Sequence, residues 1–358
     1  NCSNLTHMGE FEMMKKTTSA LAIAALLGTG AASAATFQVN DDTSVSIGGD
    51  FFFAYYDRTD NAGDNKDTII DNASSLVFSG ATTHDNGITT DFMLDFDGFN
   101  TITNGSNDTI TTDEASIGFS GNFGEVRIGS EGSAFGPVDI NDVAQGSGVY
   151  NYGGVDDRLV SYRSNDLNGL TFRVDAQLNG DKQQDGTDPD SSTSFAGNIV
   201  YDLGMASIAA AYDQQANGDD EPLYGIAVTS NIGGVDVGIA YQNDDAPTKK
   251  KESEVLAFTA NYDYGNGYVY GVIQSVDFGA APDKEDVTDF GENSSGNDID
   301  ISGNRIDTAD ETDDSFTQIM VGVVYNVTSN SEVYIEHTQL DLDNDRGDEL
   351  VMGVNYYW

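Results

Sequence analysis

Residues 43–58 read Thr-Ser-Val-Ser-Ile-Gly-Gly-Asp-Phe-Phe-Phe-Ala-Tyr-Tyr-Asp-Arg, and this stretch decides the fold. Alternate positions from Val45 to Tyr55 are mostly apolar and end in aromatic residues, whereas the positions between them begin with serine and include Asp50. Successive side chains of a β-strand point to opposite faces of the sheet. The alternation therefore predicts a strand with one apolar face and one face rich in small and polar groups.

The same alternation recurs along the chain and predicts sixteen strands in all. A second clear case is the segment 88–98, where Phe92 and Leu94 alternate with Asp91 and Asp95. The predicted strands are residues 43–58, 68–80, 88–98, 112–121, 124–130, 157–164, 169–178, 193–203, 205–214, 222–231, 234–242, 253–264, 267–277, 315–326, 330–341 and 348–358.

The connections between these strands alternate in length. Short turns built from Gly, Asn and Asp, such as Gly265-Asn266, alternate with long acidic connections, of which residues 131–156 and 278–314 are the longest. An antiparallel meander of this kind has its tight turns at one end and its long loops at the other.

The two faces of the strands indicate where such a sheet is stable. An open sheet of this size would expose long edges, and a closed one with its apolar face outward encloses a wide polar lumen. Such a barrel is stable in lipid, because a closed sheet pairs every backbone N–H and C=O group in hydrogen bonds without water. We therefore predict an all-β fold, a 16-stranded antiparallel transmembrane β-barrel. A secreted all-β adhesin or solenoid remains the alternative, whereas a helical membrane protein is excluded because no run of 18 apolar residues follows residue 35.

The N-terminal region reads as an export signal. A short basic segment around Met14 precedes an apolar run over residues 17–27 and an A-x-A site that ends at Ala34. We predict translation from near Met14, cleavage after Ala34, and a barrel domain over residues 35–358. Residues 1–34 are then upstream sequence plus a cleaved signal peptide.

Composition narrows the possible functions. The chain has 60 acidic and 15 basic residues, a net charge of −45, which argues against a nucleic-acid partner because phosphate binding needs basic patches. Cys2, the single cysteine, precedes the expected cleavage site, so the exported chain would lack a disulfide framework. No nucleophile elbow or other catalytic cluster stands out, so neither an enzyme nor a cofactor is expected.

Three segments stand out, namely residues 45–50, 117–130 and 351–358. They are similar to the opening strand, the turn before the constriction loop and the closing strand of one family, the general diffusion porins of the Gram-negative outer membrane in their gammaproteobacterial branch. The resemblance covers essentially all of the chain after residue 34. The resemblance implies a homotrimeric channel in the outer membrane, with lipid and lipopolysaccharide around it, short periplasmic turns and long outer loops. It also implies that the barrel-assembly machinery reads an insertion signal at Tyr356 and Trp358, although the family usually ends in Phe.

The resemblance further implies that the third long loop, residues 131–156, folds into the lumen and faces basic residues on the opposite wall. The corresponding wall positions here are Asp50, Ser75, Ser116 and about Val155, so that basic ladder is largely missing. Arg127, Arg158 and Arg173 could substitute for this basic ladder. The candidate constriction residues are Asp50, Asp91, Asp95, Arg127, Glu131, Asp139, Asp142, Arg158 and Arg173.

Acidic residues outnumber arginines in this candidate set, and lumen parity adds Asp175, so we predict a channel for small hydrophilic solutes and ions with a cation preference. An adhesin or receptor that acts through its long acidic loops remains the alternative. Asp298, Asp300 and Ser302 resemble the start of a calcium loop. The twelfth position is Ala309 where a glutamate is required, so this signal is weak.

Overall fold

The computed structural model describes residues 34–59, 65–71, 74–97, 110–140, 143–146, 154, 158–178, 193–214, 222–244, 253–277, 315–341 and 349–358. These residues form antiparallel strands that belong to one sheet. The strands are β1 (Ala35–Asn40), β2 (Thr43–Thr59), β3 (Asn65–Asp71), β4 (Ser75–Thr83), β5 (Thr89–Asp97), β6 (Thr111–Gly121), β7 (Gly124–Gly129), β8 (Leu159–Arg163), β9 (Leu170–Gln177), β10 (Ser194–Asp202), β11 (Ala206–Asp213), β12 (Leu223–Ile232), β13 (Val235–Asp244), β14 (Ser253–Asp263), β15 (Gly267–Asp277), β16 (Ser315–Thr328), β17 (Ser331–Asp341) and β18 (Glu349–Tyr357).

The sheet closes into a barrel because the last strand pairs with an early one. Strand β18 pairs with β2 from Glu349↔Arg58 to Tyr357↔Asp50, and the backbones of Trp358 and Gly49 exchange two hydrogen bonds just beyond it. Closure leaves no free edge along the wall. The prediction of a closed antiparallel 16-stranded barrel is confirmed.

The 18 described segments correspond to 16 barrel strands for two reasons. Segments β3 and β4 both pair with β2, at different heights, so they are two parts of one interrupted strand. Segment β1 pairs with β2 from Ala35↔Ile47 onward, whereas β18 pairs with the later part of β2. The two segments therefore follow one another along β2 and together occupy one strand position of the barrel. The sequence pattern missed both features, because β1 is short and because the alternation alone does not show the break after Asp71, where Ser74 N–H donates to Asp71 Oδ1 at 2.9 Å.

The two faces of the wall match the alternation in the sequence. Outward-facing side chains are apolar and exposed, as with Phe51 at 40%, Ile199 at 48% and Ile273 at 51% of their surface. Inward-facing ones include buried polar groups such as Asp175 and Gln274. A sheet with this polarity has an outer surface suited to lipid and an inner surface suited to water.

Helix contributes almost nothing to the described residues. One 3₁₀ turn, Gly136–Val138, lies inside the third loop. The described part of the chain contains no helix that is long and apolar enough to span a membrane.

Candidate functional site: a lumen narrowed by the third loop

The third loop leaves the wall after β7 and lies inside the barrel, as expected from the sequence. Its first part lies at Glu131, beside arginines of β7–β9. Its 3₁₀ turn contacts β11, β12 and β13, and residues 145 and 146 bind a side chain of β17. The described part of the loop therefore follows the inner wall from β7 to β17 and also reaches Tyr56 of β2. The lumen wall that these contacts leave free is formed by β4, β5 and the part of β2 around Asp50.

Apolar packing holds the middle of the loop against the wall. Phe135 and Val138 are buried and pack on a surface of small wall residues. At Gly225, an added Cβ would lie 2.9 Å from Val138 Cγ2 and 3.0 Å from Phe135 Cζ, so a larger residue there would displace the loop. The small wall residues are Ala209, Ala211, Ala227, Ala240 and Ala257.

Two side-chain amides of the wall fix the backbone on either side of this apolar contact. Asn198 Nδ2 donates to the carbonyl of Ala134 at 2.7 Å, and Gln242 Nε2 donates to the carbonyl of Val138 at 3.0 Å. These two wall residues therefore satisfy loop carbonyls that the barrel would otherwise bury without partners.

Three arginines of neighbouring strands converge on Glu131 at the start of the loop. Arg163 lies 2.5 Å from Glu131 Oε2, Arg173 lies 3.4 Å from Oε1, and Arg127 lies 3.7 Å from Oε2. Glu131 is buried, so its charge requires close partners of opposite sign. The arginines thus anchor the root of the loop.

The same arginines bind further carboxylates, so their charge is compensated. Arg127 pairs with Asp91 at 2.5 Å and with Glu125 at 2.8 Å, and Arg173 pairs with Asp175 at 2.8 Å. The hypothesis from the sequence treated Arg127, Arg158 and Arg173 as a substitute for a basic wall facing the loop. The structure places Arg127 and Arg173 in this network. Instead, both of them pair with the root of the loop and with wall carboxylates.

The free lumen wall, in contrast, carries acids for which the described residues supply no cationic partner. Asp50 of β2 and Asp95 and Asp97 of β5 face the lumen on either side of β4, where Asp50 pairs in register with Ser75 and Ser75 with Asp97. Asp50 accepts hydrogen bonds from the backbone N–H of Ser75 at 2.9 Å and from its hydroxyl. Among the described residues, no lysine or arginine forms an ion pair with these three carboxylates.

The remaining candidate residues lie elsewhere. Asp139 ends the 3₁₀ turn of the loop, and its backbone N–H donates to Gly136. Arg158 precedes β8 with φ of 55°, and its carbonyl accepts the N–H of Leu178 at 3.0 Å. The ion pairs around Glu131 include neither of them. Asp142 and the weak calcium candidates Asp298, Asp300 and Ser302 lie outside the described residues, and the described part of the chain has no cluster of metal-ligating side chains.

The C-terminal aromatic residues lie on the closing strand. Tyr356 faces outward and is 47% exposed, while the Trp358 ring stacks near Phe51 with centroids 6.5 Å apart. Their outward position is compatible with recognition of an unfolded C-terminus before the barrel closes, which remains a prediction.

Sequence reasoning missed several residues of the site, although the pattern could have found some of them. Arg163 follows Ser161 by two positions in a predicted strand, so parity alone places it in the lumen beside Arg127. The same reasoning applies to Glu336, which shares a face with Tyr334. The pattern could not show that both side chains bind the third loop.

A closed barrel with an apolar exterior, a charged lumen and an inserted loop defines a channel protein of the porin class. The family model described as Gram-negative porin matches residues 17–345, and the chain belongs to this family. It is therefore an outer-membrane channel protein and not an enzyme.

Known relatives agree with this assignment. A monosaccharide porin from a Halomonas species and the major outer membrane protein of Halomonas elongata are each 27% identical over 372 residues, covering 96% of this chain and 100% of the relative. Among solved structures, the fold is similar to an anion-selective porin from Comamonas acidovorans, with a TM-score of 0.65, 18% identity and coverage of 88% and 100%.

A further similar structure is OmpT of Vibrio cholerae, an outer membrane protein in its trimer form. Its TM-score is 0.59 at 14% identity, with coverage of 89% of this chain and 100% of that one. At such low identity, the likeness to solved structures shows the fold alone.

Proposed function

We propose that this porin is a passive diffusion channel that prefers cations and also passes small neutral solutes such as monosaccharides. The observation that carries the proposal is the unequal charge of the lumen. Arg127, Arg163 and Arg173 all pair with carboxylates. Asp50 and Asp95 face the lumen, and no lysine or arginine among the described residues pairs with either of them. The net field acting on a passing ion is therefore negative.

The size of this effect follows from Coulomb's law. A unit charge 4 Å from an ion contributes about 1 kcal/mol in water and about 4 kcal/mol at an effective dielectric of 20. A difference of about 1.4 kcal/mol is already tenfold in partitioning. Because screening acts over roughly 8 Å at physiological salt, a wide aqueous pore keeps only part of this preference. The expected selectivity is clear but moderate.

A planar lipid bilayer provides the test. Purified protein should give discrete conductance steps, and in a dilute KCl gradient the reversal potential should have the sign of potassium preference. Anion preference in the same gradient would contradict the proposal. Barrels that insert but never conduct would instead favour the adhesin or receptor alternative, since loop binding does not need an open lumen.

The named relatives suggest the neutral solutes. One curated relative is called a monosaccharide porin, and the aligned region covers 96% of this chain. Vesicles containing the channel should swell faster in isotonic glucose than in an isotonic trisaccharide. Equal swelling in both sugars would show that the lumen does not discriminate in this size range.

We also propose export, maturation and assembly typical of the family. Cleavage after Ala34 would make Ala35, the first residue of β1, the new N-terminus. A Cβ placed on Gly48 would lie 2.8 Å from Ala34 Cβ and 3.2 Å from the carbonyl oxygen of Trp358, so the cleavage point lies beside the C-terminus. The barrel-assembly machinery would read Tyr356 and Trp358, and the inserted homotrimer would contact outer-membrane lipid and lipopolysaccharide.

A further inference from the structure

A buried glutamate of the wall binds the third loop at Gln145 and Gly146. The backbone N–H groups of Gln145 and Gly146 donate to Oε1 and Oε2 of Glu336, each at 2.6 Å. Glu336 is only 1% exposed and lies in the middle of β17. Both oxygens of one carboxylate are thus used to bind two successive peptide groups of the loop.

The same carboxylate is held by the wall itself. Tyr270 of β15 donates its hydroxyl to Glu336 Oε1 at 2.5 Å. Hydrogen bonds to an ionised acceptor are roughly twice as strong as neutral ones. Glu336 therefore links the loop to strands that are more than 60 residues away from each other in sequence.

Further contacts fix the same two loop residues. Tyr56 donates its hydroxyl to the carbonyl of Gly146 at 2.7 Å, and the amide of Gln145 donates to the hydroxyl of Tyr268 at 3.0 Å. Asn355 Nδ2 donates to Gln145 Oε1 at 3.1 Å. Residues 145 and 146 of the loop are thus attached to β2, β15, β17 and β18. Glu336 makes two of these contacts, one to each peptide N–H.

We propose that Glu336 is the positioning residue that holds the third loop against β17 and so sets the cross-section of the channel. Among the described residues of the loop, Glu131 anchors the start, Phe135 packs on the wall, and Gln145 and Gly146 bind Glu336. The attachment at Glu336 therefore restrains the loop around residues 145 and 146 from moving across the lumen. The proposal rests on the channel function proposed above. It assigns the size limit of the pore to a wall residue that does not itself line the free path.

The chemistry at this point requires a carboxylate. In Glu336→Gln one acceptor oxygen becomes an NH₂ donor, which would face a backbone N–H of the loop. One of the two loop hydrogen bonds would be lost, and two donors would oppose each other at a buried site. We expect the loop to detach from β17 in this variant while the barrel remains closed.

The first experiment compares Glu336→Gln with a matched control, Glu332→Gln. Glu332 lies on the same strand and the same face and is also buried, but its Oε1 accepts from Asn355 and Tyr357 and not from the loop. In bilayers and swelling vesicles, Glu336→Gln should raise single-channel conductance and increase trisaccharide flux several-fold. Glu332→Gln should change both quantities much less, because the remaining side-chain oxygen can still accept from Asn355, whose contact with Gln145 is only one of the loop's attachments. A Glu336→Gln channel with unchanged or reduced conductance and flux would overturn the proposal.

A second experiment separates positioning of the loop from general destabilisation. A Cβ built on Gly146 lies 2.7 Å from Val351 Cγ1, so cysteines at these two positions are close enough for a disulfide. Gly146→Cys/Val351→Cys in the Glu336→Gln background should restore the wild-type conductance and size limit when oxidised, and dithiothreitol should remove the rescue. A disulfide that forms without any such restoration would also overturn the proposal.

The two proposals fail in different ways. If wild-type barrels do not conduct, the channel function itself is wrong. If they conduct with anion preference, the selectivity is wrong but the size limit can still be tested. If the wild type conducts and Glu336→Gln matches it, only the role of Glu336 is refuted.

Discussion

Asp50 tests the charge of the free wall at the scale of a single side chain. It faces the lumen beside Asp97 and Ser75, so Asp50→Lys reverses one charge directly along the ion path. The substitution changes the charge by two units and acts in opposite directions on K⁺ and Cl⁻, so at about 1 kcal/mol per unit charge at 4 Å in water the ratio could change by up to about 4 kcal/mol. Screening in a wide pore removes much of this, and we expect the K⁺/Cl⁻ permeability ratio to fall by at least about fivefold, which corresponds to about 1 kcal/mol.

The control for this change is Asp85→Lys. Asp85 is exposed in the short turn after β4, at the end of the barrel, and undergoes the same change of charge. Its effect on the reversal potential should be much smaller. Equal shifts from both variants would indicate that selectivity reflects the overall charge of the protein and not the position of Asp50 on the wall.

Arg127 tests the stability of the ion-pair network. Its side chain is buried and pairs with the buried Asp91. Arg127→Ala leaves that carboxylate without its cation, so we expect the free energy of unfolding to fall by about 3–5 kcal/mol. A urea titration of the barrel in lipid vesicles measures this quantity.

Arg163→Ala provides the comparison within the same network. The Arg163 side chain is 38% exposed, so water can replace part of its interaction with Glu131. We expect a loss of about 1 kcal/mol or less. An Arg163→Ala variant that is less stable than Arg127→Ala would show that removing the partner of Glu131 lowers the free energy of unfolding more than removing the partner of Asp91 does.

At the scale of elements, alternation located the strands well. Residues 267–277 were predicted as a strand and form β15 with the same bounds, and the predicted segment 222–231 corresponds to β12. The period of two is strong because one face contacts lipid and the other contacts the lumen. The break after Asp71 was missed because the alternation alone does not show it, whereas in the structure Asp71 Oδ1 accepts the backbone N–H of Ser74 between the two segments.

The third loop was predictable in outline only. Its length and its place after the fifth strand, together with the family resemblance, indicated a loop inside the lumen. Its attachment was not predictable, because Gln145 and Glu336 are 191 residues apart and meet only when the barrel closes. The pattern therefore gave the face of each wall residue but not its partner.

Deletion of residues 137–147 tests the loop as an element. The deletion removes Val138 from its contact with the small wall residues and removes both peptide groups that bind Glu336. Conductance should rise, and sugars too large for the wild type should enter liposomes. If neither quantity changes, the loop does not limit the pore. A deletion variant should still resist denaturation by SDS before heating, which controls for loss of the barrel.

At the scale of the whole molecule, the proposed homotrimer can be tested by mass. The outer face exposes apolar residues around the entire barrel, including Phe51 and Ile199, and a partner subunit could cover part of this surface as well as lipid could. Detergent samples that are not heated should migrate near three times the monomer mass and convert to monomer on boiling. A conducting protein that is monomeric by light scattering would contradict the proposal.

The net charge of the chain is −45, and a last prediction concerns how the ion selectivity changes with salt concentration. Screening shortens the reach of the lumen carboxylates from about 10 Å at 0.1 M salt to about 3 Å at 1 M. Asp50 and Asp95 lie on the wall, so ions near the middle of the lumen should no longer sense them at high salt. We therefore expect the K⁺/Cl⁻ permeability ratio to decline steadily as KCl is raised at a constant gradient. A ratio that stays constant over this range would mean that selection occurs at a narrow point where ions touch the wall, and the moderate preference inferred from a wide pore would then be wrong.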